Sequence, residues 1–365
     1  MMLPDPRLMP RVAPKNELIR AVMSLLTEPD GAEAERKRGE LRRLTAEKLE
    51  FDDNQSLSVA LQLAPDQTAF RTLWHSLVDT LASPSTARHA VVFAVPVVLA
   101  AGSKTATTLP AQVDAAPLLA ILRQHGVVRA DAEVSLSGRL LHADTLASVA
   151  FSQWFRFGSF LTDAARGVPL DLAGSEVPVH EEGVFVRYLL GVAMQNPGEA
   201  PAIRLGGSMG EWGMPFMQQL NEQMKTPGVT LFPIPAVPNV VPEALRQGAA
   251  LRLDVNMQMW ASNIIRKLRA GNAGIAGVAA AHENGELRFT VSSPGDDKNW
   301  AAFVWPLAPL DAVERIEENF RALMAECQVE DVRVVGTIQP DRIDEVPVFL
   351  TCNDAITLTP PENLH

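Results

Sequence analysis

Apolar residues follow a helical spacing in the first part of the chain and a strand-like spacing after Pro84. Leu18, Val22 and Leu25 share one face of a predicted helix that Asn16 caps and that runs to Leu26. Asp30 is placed to cap a second helix, from Gly31 to about Leu49. A third is predicted from about Asp66 to Leu81, with Phe70, Leu73, Trp74, Leu77 and Leu81 at helical intervals. Beyond Pro84, strands and helices alternate. Strand 90–101 precedes a helix near 114–125 and a strand at 133–141. Strand 184–195 precedes a helix near 214–225 and a strand at 229–236, and strand 300–307 precedes a helix at 310–326 and a strand at 331–338. The closing strands begin at 133, 229 and 331, a period near one hundred residues.

Two further helical stretches stand out. Residues 142–156 carry Leu146, Val149, Ala150 and Phe155. Residues 241–270 carry Leu245, Ala249, Leu253, Met257, Trp260, Ile264 and Leu268 on one stripe, with Gly271-Asn272 as a C-cap. The run that follows reads as a hairpin turning at Asn284-Gly285.

This pattern predicts an α/β fold: a helical N-terminal region, then two or three β-α-β units with mixed sheets. The boundaries are a tail at 1–15, helices over 16–83, units over 84–180, 181–272 (with the long helix) and 273–354, and a tail at 355–365. The units share no appreciable identity, and alternating chains echo themselves by default. Whether the hundred-residue spacing is a structural repeat is therefore open.

Composition narrows the class. With 47% apolar and 21% charged residues over 365 positions, the chain has the make-up of a folded protein. Its longest apolar run, Ala90 to Ala101, is shorter than the roughly 20 residues of a membrane span. It reads instead as a strand buried on both faces, with Pro96 at a bulge or edge. The first residues contain no apolar core of a signal peptide. Two cysteines, Cys327 and Cys352, read as buried reduced thiols, and the alanine-, leucine- and proline-rich texture as that of a bacterial cytoplasmic protein. A net charge of −11 opposes nucleic-acid binding. The most basic run, Glu35 to Arg43, is interleaved with acids and reads as a solvated helix face rather than a phosphate patch.

The sharpest chemical candidate is Gly206-Gly207-Ser208-Met209-Gly210, which spells the G-x-S-x-G of serine hydrolases. A nucleophile elbow needs an apolar strand running into the turn and a helix starting at once after the serine. Here the strand is only Ala202 to Leu205, and Gly210, Gly213 and Pro215 delay the helix by several residues. The downstream acids Glu243 and Asp254 fall in predicted helices, and Asp296 and Asp297 follow His282 instead of preceding it. The stretch is read as a glycine-rich turn with Trp212 on the core.

The same glycines miss the G-x-G-x-x-G spacing, and Gly102-Ser103-Lys104-Thr105 lacks the order of a P-loop. No two of the seven histidines stand three or four residues apart, His180-Glu181-Glu182 reads as a polar loop, and Asp296-Asp297 reads as a turn. Hence no metal and no cofactor is assigned. Met257 and Met259 beside Trp260, and Trp300 and Trp305 flanking a strand, read first as core and second as an adaptable surface.

The functional expectation is a non-enzymatic structural or interaction protein that self-associates or docks onto a larger complex. Its interaction or pocket candidates are Gly206, Gly207, Trp212, Trp260, Trp300 and Trp305. The alternatives are a serine hydrolase using Ser208 and a small-molecule sensor with a pocket lined near Trp212 and the 206–213 loop.

Overall fold

The computed structural model describes residues 16–28, 30–83, 86–102, 107–164, 177–179, 183–271, 274–283, 285–338 and 349–354. Both expected tails, Ser103 to Thr105, the 180–182 cluster, Asn272 and Asn284 lie outside them. The chain is a mixture of helices and strands, as the α/β class requires. Its described residues divide into two compact units, one of 16–64 with 68–252 and one of 65–67 with 253–354.

The first unit opens with helices. In α1 (Glu17–Leu26) the Asn16 side chain accepts the Leu18 N–H at 3.0 Å, and Leu18, Ile19, Val22 and Leu25 are buried. α2 (Gly31–Glu50) starts at Asp30, although that side chain makes no capping bond. Its charged run forms the expected solvated face, with pairs such as Arg36–Glu33 at 2.6 Å and Arg43–Glu47 at 2.9 Å. α3 (Asn54–Gln62) is capped by Asp53, and its periodicity is too short to announce itself. α4 (Gln67–Ala82) buries Leu73, Leu77 and Leu81.

Next come β1 (His89–Ala101), β2 (Thr107–Leu109), α5 (Ala115–Gln124), β3 (Val134–Leu141), α6 (Ala143–Ala147), α7 (Phe151–Ala164) and β4 (Val177–Val179). They are followed by β5 (Val184–Gln195), α8 (Gly213–Gln223), β6 (Leu231–Pro235), β7 (Asn239–Val240) and α9 (Val241–Ala270). The single helix read over 142–156 is broken at Ser148 to Ala150. There Gln153 reaches back to accept the Ala150 N–H at 2.9 Å and starts a new helix, α7.

The first two β-α-β units do form, but the two strands of neither unit pair with each other. The sheet order is β3-β5-β1-β6, with β7 also on β1, and every pairing is antiparallel. Each unit's outer strand lies against the other unit's inner strand, so 84–180 and 181–272 interleave in one sheet. β1 is its central strand, with all thirteen residues buried. Pro96 therefore sits at neither an edge nor a bulge: it pairs in register with Tyr188, and its other side faces the gap between β6 and β7. There its carbonyl accepts the Ala236 N–H at 2.8 Å, so the donor that proline lacks falls where the ladder is interrupted. Odd-numbered residues of β1 and β5 face α5 and α8 in one core with Leu118, Leu122, Phe216 and Leu220.

On α9 the predicted stripe is rotated. Ala249 is exposed, and Ala244, Gly248, Val255, Met257, Ala261 and Ile265 carry the burial.

The second unit holds β8 (Ala276–His282), β9 (Glu286–Ser293), β10 (Asp296–Pro306), α10 (Val313–Glu326) and β11 (Asp331–Ile338). The hairpin is as expected: Gly285 has φ +81° and donates to the His282 carbonyl at 3.1 Å. A second turn, with Gly295 at φ +79°, starts β10 at Asp296 and not at Trp300. The sheet order is β10-β9-β8-β11, with β11 parallel to β8 and the rest antiparallel. The helix between β10 and β11 thus joins opposite edges, a topology unlike that of the first two units. The hundred-residue spacing does not carry a third copy of the same arrangement.

One face of this sheet packs Leu287, Phe289 and Val291 against Met257, Ile265, Phe320 and Met324. A C-terminal strap, 349–354, covers the other. Leu350 and Cys352 pack on Ala276, Val278 and Ala280, and Arg333 Nη1 donates to the Cys352 carbonyl at 2.9 Å.

Candidate functional site

Ser208 lies in a loop tied down at both ends. Ile203 bridges Val128, Arg204 N–H donates to the Val127 carbonyl at 2.8 Å, and Gly206 N–H donates to the Pro238 carbonyl at 2.8 Å. Between these anchors and α8 the backbone reverses through φ +71° at Gly206 and +84° at Gly207, conformations that favour glycine. Ser208 is exposed, and its Oγ accepts the Gly210 N–H at 3.1 Å, a local serine turn. The helix starts five residues later, at Gly213. Trp212 Nε1 donates to the Ser208 carbonyl at 3.3 Å, while its ring is 1% exposed and meets Phe216 edge-on at 5.5 Å. Among the described residues no histidine or carboxylate bonds to Ser208. Glu243 is committed elsewhere: Trp74 Nε1 donates to it at 2.7 Å, Arg246 at 2.6 and 3.0 Å, and Gln247 at 3.1 Å. Burial pushes its carboxyl up, but these donors outweigh it and hold it below the usual range.

The tryptophans separate by burial. Trp212 and Trp305 are core, so neither offers a surface to a partner; Trp305 Nε1 donates to Asp311 Oδ2 at 3.2 Å. Trp260 is half-buried against Phe303 at 5.6 Å. Trp300 is 42% exposed, with one side resting on Phe349 at 5.9 Å.

Trp300 belongs to β10, and β10 ends its sheet. The other end strands of the two larger sheets are guarded. β6 carries Pro233 and Pro235, and β3 is covered by Ala111 and Val113, which bond Leu140 and Gly138 at 2.7 and 2.9 Å. β11 carries the pair Arg333–Asp331 at 2.9 Å. From Trp300 to Pro306, β10 has no charge and no proline before its last residue, and Trp300 and Val304 stand exposed on the same face.

A cavity of about 330 Å³ opens in the helical region on Leu25, Leu26 and Leu41, rimmed by Arg38, Arg42 and Asp79. Another of about 350 Å³ takes Lys37, Glu40 and Arg43 from α2. Gly206, Gly207 and Trp212 line neither. Arg42 is matched by Asp79 at 3.2 Å, and Arg43 by Glu47. Among the described residues no three His, Cys, Asp or Glu side chains gather as a metal site, and no helix is long and apolar enough to cross a membrane.

Sequence reasoning passed over Arg187. It is the one charge in the apolar strand Val184–Gln195, and it is 5% exposed. The signal was a charge at a core-facing position of a central strand. No protein-family model matches the chain, and comparison with curated proteins and with solved structures finds no match either.

Proposed function

We propose that this is a non-enzymatic interaction protein that self-associates by pairing β10 with β10 of a second copy. The observation behind this reading is the edge of β10, unguarded among the described residues, where β3, β6 and β11, the other end strands of the two larger sheets, are blunted. A second copy suits it because the strand is self-complementary. In an antiparallel pair centred on Ala302, Trp300 opposes Val304 and Ala301 opposes Phe303, large against small or branched on both faces, and no like charges meet. Such a contact is isologous and closes as a dimer, and it joins two four-stranded sheets into one. The unpaired Cys327 and Cys352 are in keeping with a reducing cytoplasm. The test is mass in solution by light scattering across a wide concentration range. A dimer that Ala302→Lys converts to a folded monomer supports the reading, and a monomer at every concentration overturns it.

A further inference from the structure

Arg187 is a buried charge, and among the described residues no carboxylate pairs with it. Its register partner is Val97, whose own second partner is Pro235. Strand alternation turns it toward the face of Phe185, Leu189 and Ala193, the side covered by α5 and α8. Its one hydrogen bond runs from Nη1 to the Val186 carbonyl at 2.9 Å, and its Nε is buried with no partner. A second buried arginine, Arg288, is held by Glu286 at 2.5 Å and by the Phe349 ring at 5.1 Å, among other contacts. Burial lowers the Arg187 pKa, but a guanidinium starts so high that it stays protonated. A lysine here would shed its proton, whereas an arginine keeps its charge and bears the desolvation cost unless a partner arrives.

We infer that Arg187 anchors a binding site for a small oxyanion group, a carboxylate or a phosphate, held side-on by its Nε–Nη2 edge. Two parallel N–H groups on one planar edge match two oxygens of such a group, and a charge-assisted pair is strongest where water is excluded. The carbonyl of Val186 holds the opposite corner, which fixes the direction in which the Nε–Nη2 edge points.

The test is thermal unfolding of the full chain in rising phosphate and, separately, rising acetate, each against chloride at matched ionic strength. The expected result is a saturable rise in Tm with one or both oxyanions and none with chloride. A rise with phosphate alone assigns the site to a phosphate group, and a rise with acetate alone to a carboxylate. Arg187→Met should abolish the rise and unfold no earlier than the parent in chloride, because it removes a buried charge. If that variant does not fold, Arg187→Gln is read in the same titration, with the same loss expected. A parent whose Tm responds to oxyanions only as it does to chloride, or without saturating, overturns the proposal. So does an unchanged saturable response in the folded Met or Gln variant.

Discussion

At two glycines a single added methyl group meets a wall. A Cβ on Gly191 would stand 2.2 Å from the Phe93 ring, its register partner across β1 and β5, and one on Gly248 would stand 2.5 Å from Tyr188 Oη. Gly191→Ala is expected to cost about 1–3 kcal/mol, the range of overpacked cores, read as a shift in urea midpoint. In Gly248→Ala a helix propensity gain of about 1 kcal/mol opposes the clash, so the net loss should be smaller. Tyr188→Phe removes the clashing oxygen and also its bond to the Leu245 carbonyl. The double variant should therefore lose less than the two single losses added, a coupling that a double-mutant cycle measures. Tyr188 is the only tyrosine, so the phenolate absorbance reads it alone. Burial pushes its pKa up from 10.0 to about 12. The unfolded phenol ionises first, so stability should fall as pH rises from about 10 toward 12, with phenolate absorbance lagging that of a free phenol. None of this was legible beforehand. A glycine within a helical stripe looks like a weak position until the strand beneath it is known, whereas Arg187 was visible as a lone charge and only its burial was missing.

At the scale of elements, periodicity served well where a face was long and one-sided. Asn16 and its helix, α4, the first two strand-helix-strand series and the Gly285 hairpin stand where the spacing puts them, and the third series differs in where its first strand begins. It failed on α3, on the break at Ser148 to Ala150 and on the rotated stripe of α9. Caps written by single side chains, Asp53 and Gln153, decide the first two. The third follows from one helix serving different neighbours along its length. Glu243, in the first turn of α9, ties that helix to Trp74 of α4. Glu243→Gln should cost about 1–2 kcal/mol at neutral pH, since it weakens charge-assisted bonds. The native carboxyl titrates below its unfolded value of 4.5, so its stabilisation is present above that value and lost as pH falls through the lower folded one. The gap between variant and parent should accordingly close in acid, as urea midpoints at several pH values would show. The strap has its own test: Leu350→Ala, at a buried position over Ala276, Val278 and Ala280, should cost about 2–3 kcal/mol and increase binding of an apolar dye.

For the whole molecule, the α/β class was legible and the connectivity was not. Strand order within a sheet is fixed by which apolar faces meet, and two units of similar spacing present similar faces. Nothing in Val184–Gln195 says that it belongs between β1 and β3. The self-association expected from the sequence named no strand, because which strand ends a sheet is known only once the strands inside it are known. If two chains meet there with Ala302 on the two-fold axis, Ala302→Cys should give a disulfide-linked dimer on oxidation, and non-reducing electrophoresis would show it at twice the chain mass. The interleaved sheet has a further consequence, for synthesis. A chain emerging from the ribosome delivers the thirteen residues of β1 long before Val184 opens β5 or Leu231 opens β6. Until then the most apolar segment of the protein is a finished strand with no neighbour on either side, exposed to every other nascent chain. A product that stops short of Gln195 is expected to be insoluble. Two separately expressed pieces, cut between β3 and β5, should rescue each other only when translated in the same cell.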